Sequence, residues 1–591
     1  MEVTQKHRIQ VTAKDRQIVL KQRQIWAERD LEIIEITACS QEAVQMPEIQ
    51  IKLAQPTVDI HGTWHPSSRN NKNLYVDWGE DLKLIATSSA PVISYFSAEG
   101  QNRLTVALSD VMNPVSIQPG VSEETTDVSF TAKLFQEPVK RMKQYSVQIR
   151  IDTRDIPYYD SIKDVSKWWE TFEDLQPIPV PEGARQPLYS SWYSFHQHLT
   201  AASLEKVCRQ AVDYGFRTVI VDDGWQTDDT ARGYAYCGDW NVCPAKIEDM
   251  RRHVENVQSL NMKYMLWYSV PFVGKHANAW DRFQNKLLYY IDHLGAGVLD
   301  PRYPDVRQYL LAIYREAAEN WKLDGFKLDF VDSFVLKETT PQTSTAPGKD
   351  FESLPEAVDR LLSDIAAELK KIKKDILIEF RQSYIGPAMR KYGNMFRVGD
   401  CPLDMSTNRV GSVDIRLLAG NTPAHADMII WSPEDTVESA ALNIINALFA
   451  VPQISIIFDK YPQDHLQMLK FWMNFWVENR DVLLDGEFRP YYPQHLYPVI
   501  DAETSDKKVT AYYSAYGLKT GSHLPPKYLI VNGTLKDAVI LDVEADFGNK
   551  LVTSRNCKGE ILSAEEISFT KGVRKLKISP AGLLTVEDVG K

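Results

Sequence analysis

Asp324-Gly325-Phe326-Lys327-Leu328-Asp329-Phe330 is the stretch on which the reading of this 591-residue chain turns. Phe326, Leu328 and Phe330 alternate with Lys327 and Asp329, so a strand over Gly325–Phe330 sends both charged side chains to one face. If that face is interior, the lysine requires a carboxylate partner, because an unpaired buried charge is costly. A structural lysine–aspartate ion pair and a site built around Asp329 are both consistent with this pattern.

The same texture repeats on either side. Short apolar, often β-branched runs at Leu188–Phe195, Thr218–Asp222, Lys263–Ser269, Asp375–Arg381, Met395–Gly399, Asp427–Trp431 and Ile454–Phe458 complete a set of eight candidate strands. Helical patterns fill the gaps, at Leu204–Tyr214, Arg251–Leu260, Val306–Asn320, Leu354–Lys371, Gly386–Lys391, Ser412–Leu418 and Val437–Ala450. Eight such alternations across 188–485 predict a TIM-type (β/α)8 barrel. An open doubly wound sheet is the alternative, but no GxGxxG phosphate loop follows any strand.

The flanks read differently. Residues 1–160 carry short β-rich runs separated by turn signals and predict an N-terminal β-sandwich. Residues 161–187 hold a helix over Ile162–Glu173 and a linker with Pro177, Pro179, Pro181 and Pro187. A last helix over His465–Asn479 ends the barrel, and 486–591 predict a C-terminal antiparallel β-sandwich. The fold class is multidomain α/β and β, with a central TIM (β/α)8 barrel between two sandwiches.

Composition narrows the function. The chain is 44% hydrophobic and 25% charged, as soluble globular proteins are, with a formal net charge of −12. That balance argues against a general nucleic-acid or anionic-membrane partner. Met1–Gln10 is polar and lacks the apolar core of a signal peptide, and no apolar run reaches membrane-spanning length, so a cytoplasmic location is the expectation. The six cysteines are scattered. Cys237 and Cys243 are close enough for a disulfide or a metal pair, but no partner pair follows, and two unlinked thiols are the favoured reading.

Catalytic groups of such barrels sit at the C-terminal strand ends. Here those ends carry Trp192 and Tyr193, Asp222-Asp223-Gly224-Trp225, Trp267, Asp329, Glu379-Phe380-Arg381, Arg397-Val398-Gly399-Asp400, Trp431 and Asp459-Lys460. An aspartate there can simply cap the next helix, and Trp267 can be packing. One cap needs one carboxylate, however, so the pair Asp222 and Asp223 is harder to dismiss. Carboxylates accept from sugar hydroxyls, indoles stack on pyranose faces, and glycoside hydrolysis needs two carboxyl groups flanking the bond.

At this point the chain resembles the α-galactosidases of glycoside hydrolase family 36. The pieces that carry the resemblance are Val221-Asp222-Asp223-Gly224-Trp225-Gln226, Gly238-Asp239-Trp240, Leu266-Trp267-Tyr268 and Phe326-Lys327-Leu328-Asp329-Phe330. The resemblance implies Asp329 as nucleophile and Asp400 as general acid/base. It implies Lys327 on sugar hydroxyls, Asp222 and Asp223 on the 4- and 6-hydroxyls of a terminal galactose, and Arg397 as the arginine preceding the acid/base. Trp192, Trp225, Trp267 and Arg381 complete the expected substrate contacts. No metal or organic cofactor is required, the partner is an oligosaccharide or glycoside, and assembly into a homo-oligomer is compatible with the family.

Two departures bear on the glycone. The Cys-Ser-Gly-Gly-type run after strand five is Glu379-Phe380-Arg381-Gln382-Ser383-Tyr384 here. The Glu-Pro-Glu-type segment after strand three is Ser269-Val270-Pro271-Phe272, with Lys275 and His276 close behind. Arg381 and Lys275 suit an anionic substituent, so an N-acetylated or acidic sugar stands beside galactose. A raffinose-synthase-like transglycosylase and a sugar-binding protein with a decayed site are the further alternatives.

Overall fold

The structure, a computed structural model, describes residues 9–340 and 347–589. The polar N-terminus noted above lies outside them except for its last two residues.

Two antiparallel sheets open the fold. One has five strands in the order Gln10–Ala13, Ile49–Pro56, Asp127–Leu134, Val115–Val121, Leu82–Leu84. The other has six, in the order Val19–Glu28, Leu31–Val44, Met142–Asp152, Asn102–Leu108, Val92–Phe96, Gly62–Trp64. Their alternating apolar residues, such as Ile34, Ile36, Ile49, Ile51, Phe130 and Ile149, close on one shared core.

The barrel strands are parallel and run, in chain order, Leu188–Ser190, Thr218–Val221, Lys263–Ser269, Gly325–Asp329, Leu377–Arg381, Met395–Arg397, Ala424–His425 and Gln453–Ile454. The first and eighth strands pair directly. The seventh and eighth join only through the isolated bridges His425–Val451 and Ile429–Ile454, which nearly close the ring.

Register explains what lies inside. Strand-four Lys327 stands beside Trp267 and Glu379, and Asp329 beside Ser269. Leu188, Ile220, Met265, Leu377 and Met395 form an apolar layer at the N-terminal end of the barrel. Two residues on along each strand, the inward side chains are Asp222, Trp267, Lys327, Glu379 and Arg397, four of them charged. Phe326 and Leu328 face the other way and join the large apolar core outside the strands. Gly325 is required between strands, because a Cβ there would sit 2.5 Å from the carbonyl oxygen of Leu377.

Several expectations change. The first strand ends at Ser190, and Trp192–Phe195 form a helical turn; the Ser191 hydroxyl accepts from the Asp222 amide at 2.9 Å where the strand would have continued. The seventh strand lies at Ala424–His425, upstream of the expected Asp427–Trp431. The Asn408 side chain takes the place of a neighbouring strand at Asp427, accepting from its amide at 2.9 Å and donating to its carbonyl at 3.1 Å. A small sheet of Phe272–Gly274, Leu287–Ile291 and Ala296–Leu299 follows strand three and was not anticipated.

The last helix, Gln463–Glu478, leads to a sheet of seven strands backed by one of three. This region is not purely antiparallel. Lys507–Tyr512 pairs in parallel with Lys527–Asn532, a geometry that the long connection 513–526 permits.

One carboxylate ties the three regions together. Asp414, on the helix Met405–Leu418, accepts from Trp64 Nε1 at 2.8 Å and Lys72 Nζ at 2.8 Å on the N-terminal side, and from the Tyr497 hydroxyl at 2.6 Å on the C-terminal side. The Lys72 and Asp414 side chains are each 1% exposed.

Candidate active site

The C-terminal mouth of the barrel gathers most of the candidate residues. Strand two ends at Val221, so Asp222 points inward, where its Oδ2 accepts from Lys327 Nζ at 2.6 Å. The carboxylate that the buried lysine required is therefore Asp222, and not Asp329. Asp223 accepts from Gln197 Nε2 at 2.6 Å and Gln226 Nε2 at 2.7 Å. Burial, together with the charge of Asp222, pushes its carboxyl up to about 6.

Gly224 then turns the chain with φ +107°, and a Cβ there would meet the Gln197 backbone at 2.6 Å. This turn carries Trp225 away from the others. Its indole donates to the Trp267 carbonyl at 3.0 Å, and its ring packs among Trp240, Tyr268 and Trp321 with no exposed surface. The expected substrate contact at Trp225 is thus replaced by a packing role outside the strands.

Asp329 is the most heavily held carboxylate of the mouth. Its Oδ1 accepts from the Tyr384 hydroxyl at 2.5 Å, Arg381 Nε at 2.9 Å and the Phe330 amide at 2.8 Å. Its Oδ2 accepts from Trp267 Nε1 at 2.9 Å. Burial alone would raise this carboxyl. The positive charges of Arg381 and Lys327 and the hydrogen bonds from Tyr384 and Trp267 outweigh it and hold the group well below the usual carboxylate range. Arg381 also donates to the Gln382 carbonyl at 3.1 Å.

Arg397 lies inside the barrel with no exposed surface, and three carboxylates surround it. It bonds Asp427, lies 3.6 Å from Glu379, and donates to Asp400 Oδ1 at 2.8 Å. Burial raises Glu379 and Asp427. Asp400 behaves otherwise: its side chain is 48% exposed, and although partial desolvation opposes it, Arg397, aided by Lys327 and Arg381, draws the carboxyl below its ordinary value. Asp404, four residues further on, caps the helix Met405–Leu418 and accepts from the Thr407 amide at 2.9 Å.

Trp192 sits half-buried on the helical turn after strand one, with the Arg232 guanidinium 5.4 Å from its ring centroid. Residues of the mouth to which the sequence assigned no role include Tyr384, Gln197, Asp427 and Tyr193, whose hydroxyl donates to Asp427 at 2.9 Å. Tyr234 stacks on Trp267 at 6.0 Å between centroids. Only Asp427 and Tyr193 carried a signal, lying at or beside predicted strand ends. All six cysteines are free thiols, and the described residues contain no His/Cys/Asp/Glu cluster able to hold a metal ion. No helix among them is long and apolar enough to cross a membrane.

No model of a known protein family matches the chain. The chain is similar over its whole length to a solved variant of the α-galactosidase AgaA of Geobacillus stearothermophilus, from glycoside hydrolase family 36, in complex with raffinose. That superposition has a TM-score of 0.65 at 13% identity and covers 99% of this chain and 87% of the other. This is the family 36 α-galactosidase fold. The likeness in fold extends to the α-galactosidase of Lactobacillus brevis, with a TM-score of 0.63 at 13% identity over 95% of this chain and 78% of that one. In sequence, a probable α-galactosidase G of Emericella nidulans is 22% identical over 147 residues, a match spanning 22% of this chain and 20% of that protein. At these identities the family 36 structures speak for the fold, and the chemistry rests on the residues of the mouth.

Proposed function

We propose that the chain is a retaining α-glycosidase that releases a terminal α-linked galactose, with Asp329 as nucleophile and Asp400 as acid/base. The observation that carries this reading is the contrast between two carboxylates at one strand-end surface. Asp329 is buried, ionised and fixed by four donors, whereas Asp400 is half-exposed and held by Arg397 alone. A nucleophile needs the first environment, and a group that gives and retakes a proton needs solvent access. Asp222, Asp223 and Lys327 supply acceptors and a donor for the glycone, the half-buried Trp192 supplies a ring face, and the buried Trp267 acts through its indole N–H on Asp329.

Asp329 attacks the anomeric carbon while Asp400 delivers a proton to the departing oxygen. Water then enters with Asp400 as base, and the α configuration is retained. The neighbouring folds of AgaA were solved with raffinose and stachyose, both α-galactosides, which supports galactose as the glycone. Arg381 is engaged with Asp329 and Gln382, so a neutral glycone suits the pocket better than an acidic one.

Nitrophenyl α-galactoside, α-N-acetylgalactosaminide, α-glucoside and β-L-arabinopyranoside provide the test, with the α-galactoside expected to turn over fastest. Silence on all four overturns the reading. Added sugar acceptors would reveal a transferase by diverting product from galactose to a new glycoside.

Asp400→Ala is expected to lower kcat/KM by about 10²- to 10⁴-fold on alkyl or sugar leaving groups and by far less on dinitrophenyl galactoside. Because Arg397 lowers the Asp400 carboxyl, its protonated form is lost early as pH rises. The wild-type kcat/KM should therefore already fall with increasing pH in the acidic range, and that limb should vanish in Asp400→Ala assayed on the activated substrate. A profile unchanged by the substitution would exclude Asp400 as the acid.

A further inference from the structure

Resting on the catalytic reading above, a count of lone pairs separates the two oxygens of Asp329. A carboxylate offers about two acceptor directions per oxygen. Oδ1 already meets three donors, the Tyr384 hydroxyl at 2.5 Å, the Phe330 amide at 2.8 Å and Arg381 Nε at 2.9 Å. Oδ2 meets one, Trp267 Nε1 at 2.9 Å. Oδ1 is saturated, and Oδ2 keeps one direction open. Tyr384 and Arg381 both belong to the turn after strand five, in the run that departs from the family pattern.

That turn is braced from outside the barrel. The Ser89 amide, from the N-terminal sandwich, donates to the Ser383 carbonyl at 2.9 Å. Two residues beyond Tyr384, Gly386 lies so close to the same segment that a Cβ would meet the Ser89 carbonyl oxygen at 2.2 Å. The Ser383 hydroxyl in turn donates to Asp332 at 3.1 Å. The Tyr384 ring itself is 1% exposed.

We propose that Tyr384, with Arg381, is a positioning residue that fixes Oδ1 of Asp329 as the spectator oxygen, assigns the attack to Oδ2, and speeds release of the glycosyl group from the enzyme. In the first step a lone pair of Oδ2 forms the bond to the anomeric carbon. The glycosidic bond breaks, and its electron pair goes to the leaving oxygen, which takes the proton of Asp400. The ester carbonyl is then Oδ1, still facing its three donors. In the second step water adds to the anomeric carbon, its proton passes to Asp400, and the C–Oδ2 pair returns to the carboxylate. Donors on Oδ1 stabilise that departing charge, so ester breakdown outpaces the first step on dinitrophenyl glycosides as on ordinary substrates.

Tyr384→Phe removes one donor and keeps the ring. A hydrogen bond to a charged group corresponds to about ten- to a hundredfold in rate. Pre-steady-state release of dinitrophenol from dinitrophenyl α-galactoside is the measurement, with mass spectrometry of the quenched enzyme alongside. Wild type should show no burst. Tyr384→Phe should show a burst equal to the enzyme concentration, a kcat reduced ten- to a hundredfold with a parallel fall in KM, and a galactosyl adduct on the peptide containing Asp329. Azide added as a nucleophile should restore the variant's kcat.

A merely structural role for Tyr384 would lower kcat/KM without burst or adduct, and that result overturns the proposal. So does a burst in the wild type, or a variant with wild-type kinetics. If the wild type turns over no glycoside at all, the catalytic reading itself has failed. If the wild type is active and only the burst is missing from the variant, the assignment of Tyr384 alone has failed.

Discussion

Asp329→Asn is expected to lower kcat on every glycoside by on the order of 10⁴-fold, about 5 kcal/mol of barrier. The amide keeps the shape of the carboxylate but supplies no charge to the anomeric carbon, and it places an NH₂ group against donors from Trp267 or from Tyr384 and Arg381. The decisive version uses azide. Asp329→Gly with azide should yield the β-glycosyl azide, because the small anion attacks from the face that Asp329 vacates. Asp400→Gly with azide should yield the α-glycosyl azide, formed on the glycosyl-enzyme. The opposite products would exchange the two roles, and near-wild-type turnover in Asp329→Asn would move the nucleophile elsewhere.

Asp414→Ala should be the most damaging change to stability outside the mouth. It leaves the Lys72 ammonium buried with no counter-charge from Asp414, and it strips the acceptor from Trp64 and Tyr497. Breaking a buried pair from one side costs about 3–5 kcal/mol. Denaturant titration monitored by tryptophan fluorescence gives the loss as a lower midpoint. The double variant Lys72→Met, Asp414→Leu should recover much of it, since no charge is then left uncompensated. A single variant within about 0.5 kcal/mol of wild type would show that the pair contributes nothing net.

What could be read from the sequence followed from periodicity. The alternation through Lys327 and Asp329 put both side chains inside the barrel, and the need of Lys327 for a carboxylate was equally legible. Which carboxylate was not legible, because strands two and four do not touch; strand three lies between them, and Lys327 reaches past it to Asp222. The family resemblance put Trp225 among the substrate contacts, and nothing local reveals that its indole is taken up by the Trp267 carbonyl and the rings of Trp240, Tyr268 and Trp321. The seventh strand was misplaced because the Asn408 side chain occupies the hydrogen bonds that a strand would have used. Tyr384 gave no signal, being set by a loop whose path depends on Ser89, almost 300 residues earlier in the chain.

The polar lining of the barrel mouth has a sign. Asp222, Asp223, Asp329, Asp332, Glu379, Asp400 and Asp427 outnumber the cations set among them, Lys327, Arg381 and Arg397, each of which is already bound to one or more of those carboxylates, with Arg232 over Trp192 nearby. A bound molecule therefore meets a negative well, deepened by the low polarisability of its walls. Such a well attracts positive charge as it builds on the ring oxygen and anomeric carbon in the oxocarbenium-like transition state, and does little for the uncharged sugar that precedes it. It repels a uronic acid at the threshold, and a ring nitrogen carrying a proton would be held there more tightly than the sugar it imitates.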